Sequence, residues 1–560
     1  MIEIFFFHIL GILLVLGHGL GLSRVIKIES YLIDKQGKYT VEKLFFVGFV
    51  ALSFISLSIN FFFPINTVIN NILFLIGLMF LLINFKKINN VFIYSVLVSG
   101  FIGTLIVYYS NINRPDAGLY HLPYIAILND FKIIGGLTNL HGRFGHISIV
   151  QYSSAALNNS IFSSNGIVLP LSMLVSFYFL YLVKVIIGSY KSNLPELYKI
   201  FFIGLLIFSV SFLDRYSDYG NDAPGIIFIY LAIISIILFT KNYSNNYLYM
   251  SVFFITYSFL NKPMLLIGFL LPIMFLDKKK IFLFFKQRVF FFCLIFLLLW
   301  IVKNIIISGC LIYPKKETCI QQLSWVDQSY IESVKNAENE AEAWSKGWVD
   351  QNKTNNKIIL SYQQYNKEFN WLKVWFNTHF QVILSKIFPF NIVMIAIMLL
   401  IYLSREREAS TILTKNDKKN IIKFFIFSLV GILFWFLKFP LYRFGSLFIF
   451  LSIMSFYLLI FSKNKFKITY RLSLIIIFIS FFFLVLINLI RISKSFEFNG
   501  EYWPNIYQKN LKTNYKKIKL KHLDIYQSSQ MCMYEKAPCT HLYQEIVSTK
   551  KLGYIFLKKK

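Results

Sequence analysis

Asp116, His121, His141, Arg143 and His146 fall within one stretch, RPDAGLYHLPYIAILNDFKIIGGLTNLHGRFGH, and Asp214, Arg215, Asp218 and Asp222 within a second, LDRYSDYGNDAP. Carboxylates able to take a proton, set among cations able to neutralise a departing charge, are what group transfer from a phosphate needs. Asp116 is the first candidate for a catalytic base and Asp222 the second; the competing role for Asp116 is to cap the helix that should follow it. Arg143 can hold a phosphate through two parallel hydrogen bonds, and the glycines at 135, 136, 142 and 145 permit tight turns around it. Tyr120, His121 and His141 complete the candidate substrate contacts of the first stretch. The histidines match no compact metal-ligand spacing, so no metal site is assigned; Mg or Mn on the oxygens of Asp116 and Asp222 is the form that metal help for a leaving phosphate would take.

The elements that must position these groups are membrane spans. Of the 560 residues, 56% are hydrophobic and 19% aromatic, and the mean hydropathy of +0.59 is too high for a soluble fold. Apolar runs of roughly 20 residues, the length of one crossing, recur from 2–21 to 471–490 and predict an all-α polytopic membrane protein with about fourteen transmembrane helices. The first run lacks a basic lead and a small-residue cleavage site and reads as a retained span. Lysine-rich connections at 23–43, 85–87, 191–199, 277–280, 404–423 and 462–471 belong in the cytoplasm. That assignment puts the first long loop, 111–165, a lid at 308–383 and the tail from 491 outside. Residues 1–490 then form the transmembrane domain, and 491–560 a small extracytoplasmic module.

The formal charge of +30 lies in short clusters between apolar segments, which argues against a nucleic-acid partner. Lys262, Lys303, Lys438 and Arg443 sit near the outer ends of spans, against the positive-inside trend, and something anionic should compensate them. Lys262, Lys303 and Arg443 therefore join the candidate substrate-binding residues. Tyr120, Pro123, Tyr124, Ile127 and Leu128 recur at helical spacing, which suggests an amphipathic helix lying in the membrane interface. Cys310 with Cys319 and Cys532 with Cys539 fall on exterior segments and suggest two local disulfides, the alternative being four reduced thiols. No nucleotide-binding P-loop or dinucleotide glycine fingerprint is present.

Several segments carry a resemblance. They are Asp116 followed by Tyr120, His121, Leu122 and Pro123, NLHGRFG at 139–145, the acidic turn from Asp218 to Pro224, WIVKNIIISGCLIYP at 300–314, FPLYRFG at 439–445 and CMYEKAPC at 532–539. In these the sequence resembles the GT-C superfamily of multi-span glycosyltransferases, and looks closest to bacterial members from surface-polysaccharide gene clusters. The resemblance implies a sugar moved from a polyprenyl-phosphate donor to a glycan, lipid or protein acceptor at the non-cytoplasmic face of the inner or plasma membrane. It implies Asp116 as base, Asp222 as a second acidic site, and Arg143, Lys303 and Arg443 as contacts of the lipid phosphate. Here the carboxylate follows the fourth span, whereas in typical members it follows the first. Two alternatives share the cationic exterior: an O-antigen-type polymerase, and a flippase or exporter of lipid-linked oligosaccharide, which would line its middle with charge.

Overall fold

The computed structural model describes residues 1–34, 37–84, 90–110, 115–192, 194–210, 219–220, 222–242, 244–276, 278–354, 359–403, 414–461, 467–499, 502–507, 515–542 and 545–560. Asp214, Arg215 and Asp218 lie outside the described residues.

Among the described residues, ten helices are long and apolar enough to cross a membrane, including Ile2–Val25, Val41–Asn60, Asn90–Val107, Arg288–Ser308 and Lys415–Lys438, and the chain is a multi-pass membrane protein. The other four apolar runs fold as shorter pieces: Thr67–Ile83, Glu196–Val210, Asn245–Asn261, and a 3-10 segment Pro263–Phe269 that continues into Leu270–Phe275. The break between the last two pieces is local chemistry. Proline cannot continue a helix and drives its predecessor to extended backbone, and Lys262 accordingly has φ −149° and ψ 109°. Its side chain is thereby presented at a turn.

Lipid offers little hydrophobic drive for one helix to join another, so close packing must supply the attraction. Helix Ile2–Val25 makes backbone contact with two neighbours: a Cβ at Gly48 would stand 1.8 Å from the Val15 carbonyl oxygen, and one at Gly17 1.9 Å from that of Gly77. Around this centre, large apolar side chains such as Leu82, Leu403 and Phe478 face outward, as lipid contact requires.

Charged side chains and other polar groups tie the chain together at two ends of the bundle. At one, Arg24 donates to Asn84 at 2.5 Å, Lys184 pairs with Glu42 at 2.9 Å and Lys241 pairs with Asp417. At the other, Tyr502 donates to Glu3 at 2.9 Å, the Gly136 amide to the Ile306 carbonyl at 2.8 Å and the Trp375 indole to the Pro440 carbonyl at 2.7 Å. Lys438 belongs to this second end and is compensated by Glu342 at 3.1 Å, which also holds Lys346 at 2.6 Å. Glu342 comes from the helix Gln328–Ser345 of the lid.

The tail is a β-module. Strands β1 (Lys516–Lys519), β2 (Asp524–Gln527) and β3 (Cys539–Thr540) form one sheet, with β1 and β2 antiparallel and β2 and β3 parallel. Strands β4 (Ile546–Lys551) and β5 (Tyr554–Lys559) form a hairpin. Disulfides join Cys310 to Cys319 and Cys532 to Cys539, while Cys293 is free and buried. The module is pinned to the first long loop: Gly135 exchanges backbone hydrogen bonds with β5 at 2.8 and 2.9 Å, and the Met533 amide donates to Gly118 at 2.9 Å.

This covering changes the reading of residues 120–128. Helix Leu122–Asp130 does not lie half-exposed in the interface, because residues 122–129 are buried on every side. Met531 and Met533 close over Gly118, and the Tyr534 hydroxyl donates to Asn129 at 2.8 Å. The apolar periodicity was real, but its polar face meets the tail instead of water.

Replacing Gly48 by valine should lower stability by about 3 kcal/mol or more, because neither backbone can yield. Gly188, with open space around it, should accept alanine without loss. Thermal unfolding of the two variants in detergent checks both.

Candidate functional site

Asp116 stands immediately before a π-type turn, Ala117–His121, in helical backbone, and its side chain makes no cap hydrogen bond. The carboxylate is exposed. Capping therefore does not occupy it. One turn on, Tyr120 lies within electrostatic reach of Asp116, Arg143, Arg443 and Asp222 together. Burial first, and then the Asp116 charge, push its phenol above the ordinary range.

Asp222 opens the helix Asp222–Asn242 and holds two of the anomalous cations. Lys262 pairs with one carboxylate oxygen, and Arg443 approaches the other at 3.6 Å. Phe444 backs both, lying 3.2 Å beneath the Lys262 ammonium and 4.8 Å from the Arg443 guanidinium. Among the described residues, Asp116, Asp222, Arg143, Lys262 and Arg443 thus bring three cations and two carboxylates together, an excess of one positive charge.

Arg143 is exposed on the 3-10 turn Gly142–His146, and among the described residues no carboxylate pairs with it. The turn is shaped by His141, whose Nδ1 accepts the Arg143 backbone N–H at 3.1 Å. That bond leaves the His141 proton on Nε2, which is buried without a partner among the described residues. Burial, with His541 and Arg143 adding to it, pushes His141 down to about 3. His146 is likewise pushed down to about 3, by burial and then by Arg143, Lys262 and His141. Both imidazoles are neutral hydrogen-bonding groups near neutral pH.

His121 faces a different chain of contacts. Its Nδ1 accepts from the Gln151 amide, whose oxygen accepts the Ser148 N–H at 3.1 Å. The Ser148 hydroxyl in turn donates to Asn261 at 2.7 Å, next to Lys262. His121 is thus tied to the segment that carries Lys262.

Two residues of the site carried no assignment in the sequence. Tyr313 projects from the loop closed by Cys310–Cys319, with its ring 5.1 Å from that of His146. A Cβ at Gly145 would stand 2.3 Å from that ring, which explains the glycine. Burial pushes the Tyr313 phenol up to about 12, against the pull of Arg143. His541, from the tail, lies with its ring 4.8 Å from that of His141. Tyr313 had a trace in the SGCLIYP stretch; His541 had none, since 400 positions separate it from its neighbour.

Lys303 does not join the group. It is 1% exposed, and its ammonium lies 3.3 Å over the Trp300 ring. Among the described residues it has no ion pair or hydrogen bond. Nor do the carboxylates suit a divalent ion: Asp222 is flanked by an ammonium and a guanidinium, and among the described residues no three His, Cys, Asp or Glu side chains converge as ligands.

Residues 1–450 match the family described as a domain of unknown function (DUF8201). No curated protein and no solved structure matches the chain.

The depressed histidines set a pH dependence. The folded chain leaves His141 and His146 unprotonated where the unfolded chain, at the ordinary 6.5, binds protons. Their contribution is full above 6.5 and is lost as pH falls from there toward about 3. Thermal midpoints in detergent should fall over that window, and His141→Gln with His146→Gln should flatten the slope.

Proposed function

For a chain that belongs to that family, we propose a glycosyltransferase of the GT-C kind. It moves a sugar from a polyprenyl-phosphate donor to a glycan, lipid or protein acceptor at the non-cytoplasmic face of the inner or plasma membrane, in surface-polysaccharide biosynthesis. The observation that carries the reading is the meeting of Asp116, Tyr120, Arg143, Asp222 and Arg443 at one end of a bundle of membrane-length helices. A lipid phosphate lies at that depth, and its negative charge suits the excess positive charge of the described groups there.

Fourteen crossings are supported by the contacts at the two ends. Thr67–Ile83 leads from Asn66, near the Asp116 end, to Asn84, which meets Arg24. Asn245–Asn261 leads from Asn246, which meets Ser30, back to Asn261 and Lys262. These two short runs thereby join the same two ends as the long ones, and the lysine-rich end belongs in the cytoplasm.

In the reaction, Asp116 takes the proton of an acceptor hydroxyl as that oxygen bonds to the anomeric carbon. The bond from this carbon to the lipid-phosphate oxygen breaks, and its electron pair leaves on the phosphate. Arg143, whose guanidinium no carboxylate neutralises among the described residues, takes up the departing charge through paired hydrogen bonds. Asp222 keeps Lys262 and Arg443 at the site, and Tyr120 lies within electrostatic reach of both carboxylates.

With purified protein and polyprenyl-phosphate sugars as donors, Asp116→Asn should lose about 10²–10⁴-fold in transfer rate, with thermal unfolding unchanged. Wild-type turnover in a folded Asp116→Asn protein would remove Asp116 from the chemistry. Arg143→Gln should weaken donor binding by about 2 kcal/mol, on the order of 30-fold, while leaving acceptor affinity unaltered.

A further inference from the structure

The tail module carries one surface feature that its own folding does not account for. Strands β4 and β5 are joined by the two-residue turn Leu552-Gly553, with Lys551 paired opposite Tyr554. Both turn residues have positive φ, 51° and 76°, a conformation that suits asparagine or glycine at the first position and resists a bulky branched side chain. Leu552 occupies that position and is 92% exposed. It therefore costs stability in the backbone and again in contact with water. Lys550 and Lys551 beside it are exposed, and among the described residues no carboxylate pairs with them.

The surroundings of the tip say what covers it. The Tyr554 hydroxyl donates to the Phe61 carbonyl at 2.9 Å, just past the end of the span Val41–Asn60, and Lys132 lies 4.2 Å over the Tyr554 ring. Phe62, Phe63 and Val68, which follow that span and open the next helix, are exposed apolar side chains. A span end marks the level of the lipid headgroups, where aromatic side chains and lysines collect.

We propose that the Leu552 tip is a membrane anchor. Leu552 enters the bilayer interface beside Phe62 and Phe63, while Lys132, Lys550 and Lys551 meet the phosphates of anionic lipid. In lipid the leucine no longer contacts water, which offsets the strain of its turn. Because β5 is hydrogen-bonded to Gly135, the anchored hairpin also holds the tail over residues 135–141. The inference rests on the spans and the hairpin alone and is independent of the transferase reading.

Leu552→Cys in the full-length protein, whose other cysteines are bridged or buried, takes an environment-sensitive dye. The labelled protein is reconstituted in nanodiscs of phosphatidylcholine with or without phosphatidylglycerol. Anchoring predicts a blue shift relative to free dye and quenching by nitroxide-labelled lipid. Lys550→Glu with Lys551→Glu should lose most of the extra quenching brought by phosphatidylglycerol. Emission that nitroxide lipid leaves unchanged in both mixtures overturns the anchor and points to a second copy or an acidic polymer as the occupant. A label-free arm uses Leu552→Asn, which suits the turn: its thermal midpoint in detergent should rise, while trypsin in nanodiscs should cleave after Lys550 and Lys551 faster than in wild type. Cleavage at the wild-type rate also overturns the proposal.

Discussion

A charge at the edge of a bilayer loses much of its hydration, and it is stable there only beside a partner of opposite sign or in reach of headgroups. The Asp222 carboxylate answers that constraint for two cations at once, drawing the turn at Lys262 and the helix beginning near Arg443 onto the start of its own helix. Three segments far apart in sequence are thereby held at one point, and Tyr120 and Arg143 of the first long loop come within electrostatic reach of them. The opposite end obeys the same constraint with other groups, Lys184 with Glu42 and Lys241 with Asp417.

Within the site, charge is divided unevenly. Lys262 and Arg443 already face a carboxylate, whereas Arg143 faces none among the described residues and is exposed. Neutral histidines, with an Nε2–H on His141 that has no partner among the described residues, give it hydrogen-bonding capacity and no added charge. Such an environment favours an anionic oxygen at Arg143 without trapping it as firmly as a cluster of permanent cations would.

The tail acts as a wall. Its strands continue onto Gly135, its disulfide-closed loop covers Gly118, and His541 reaches His141. Residues 122–129 have apolar spacing of the kind that often lies on a membrane surface, and they are core because the helix Val150–Ala156, the segment at Ile65 and this wall together enclose them. Periodicity reports which positions avoid water; it does not say whether lipid or protein replaces it.

Composition and patterning by themselves determined that the chain spans the membrane repeatedly, because the cost of exposing apolar surface adds up residue by residue along each run. They also marked Asp116, Arg143, Lys262, Asp222 and Arg443, since ionisable groups near span ends stand out against an apolar background. Only the tertiary structure decided which of these meet. It brought Arg443 to Asp222, left Lys303 over Trp300, and added Tyr313 and His541, for which spacing offered no guide. Pair interactions depend on distances of a few ångströms between segments separated by up to 400 positions, and those distances are products of packing, to which no local stretch of sequence has access.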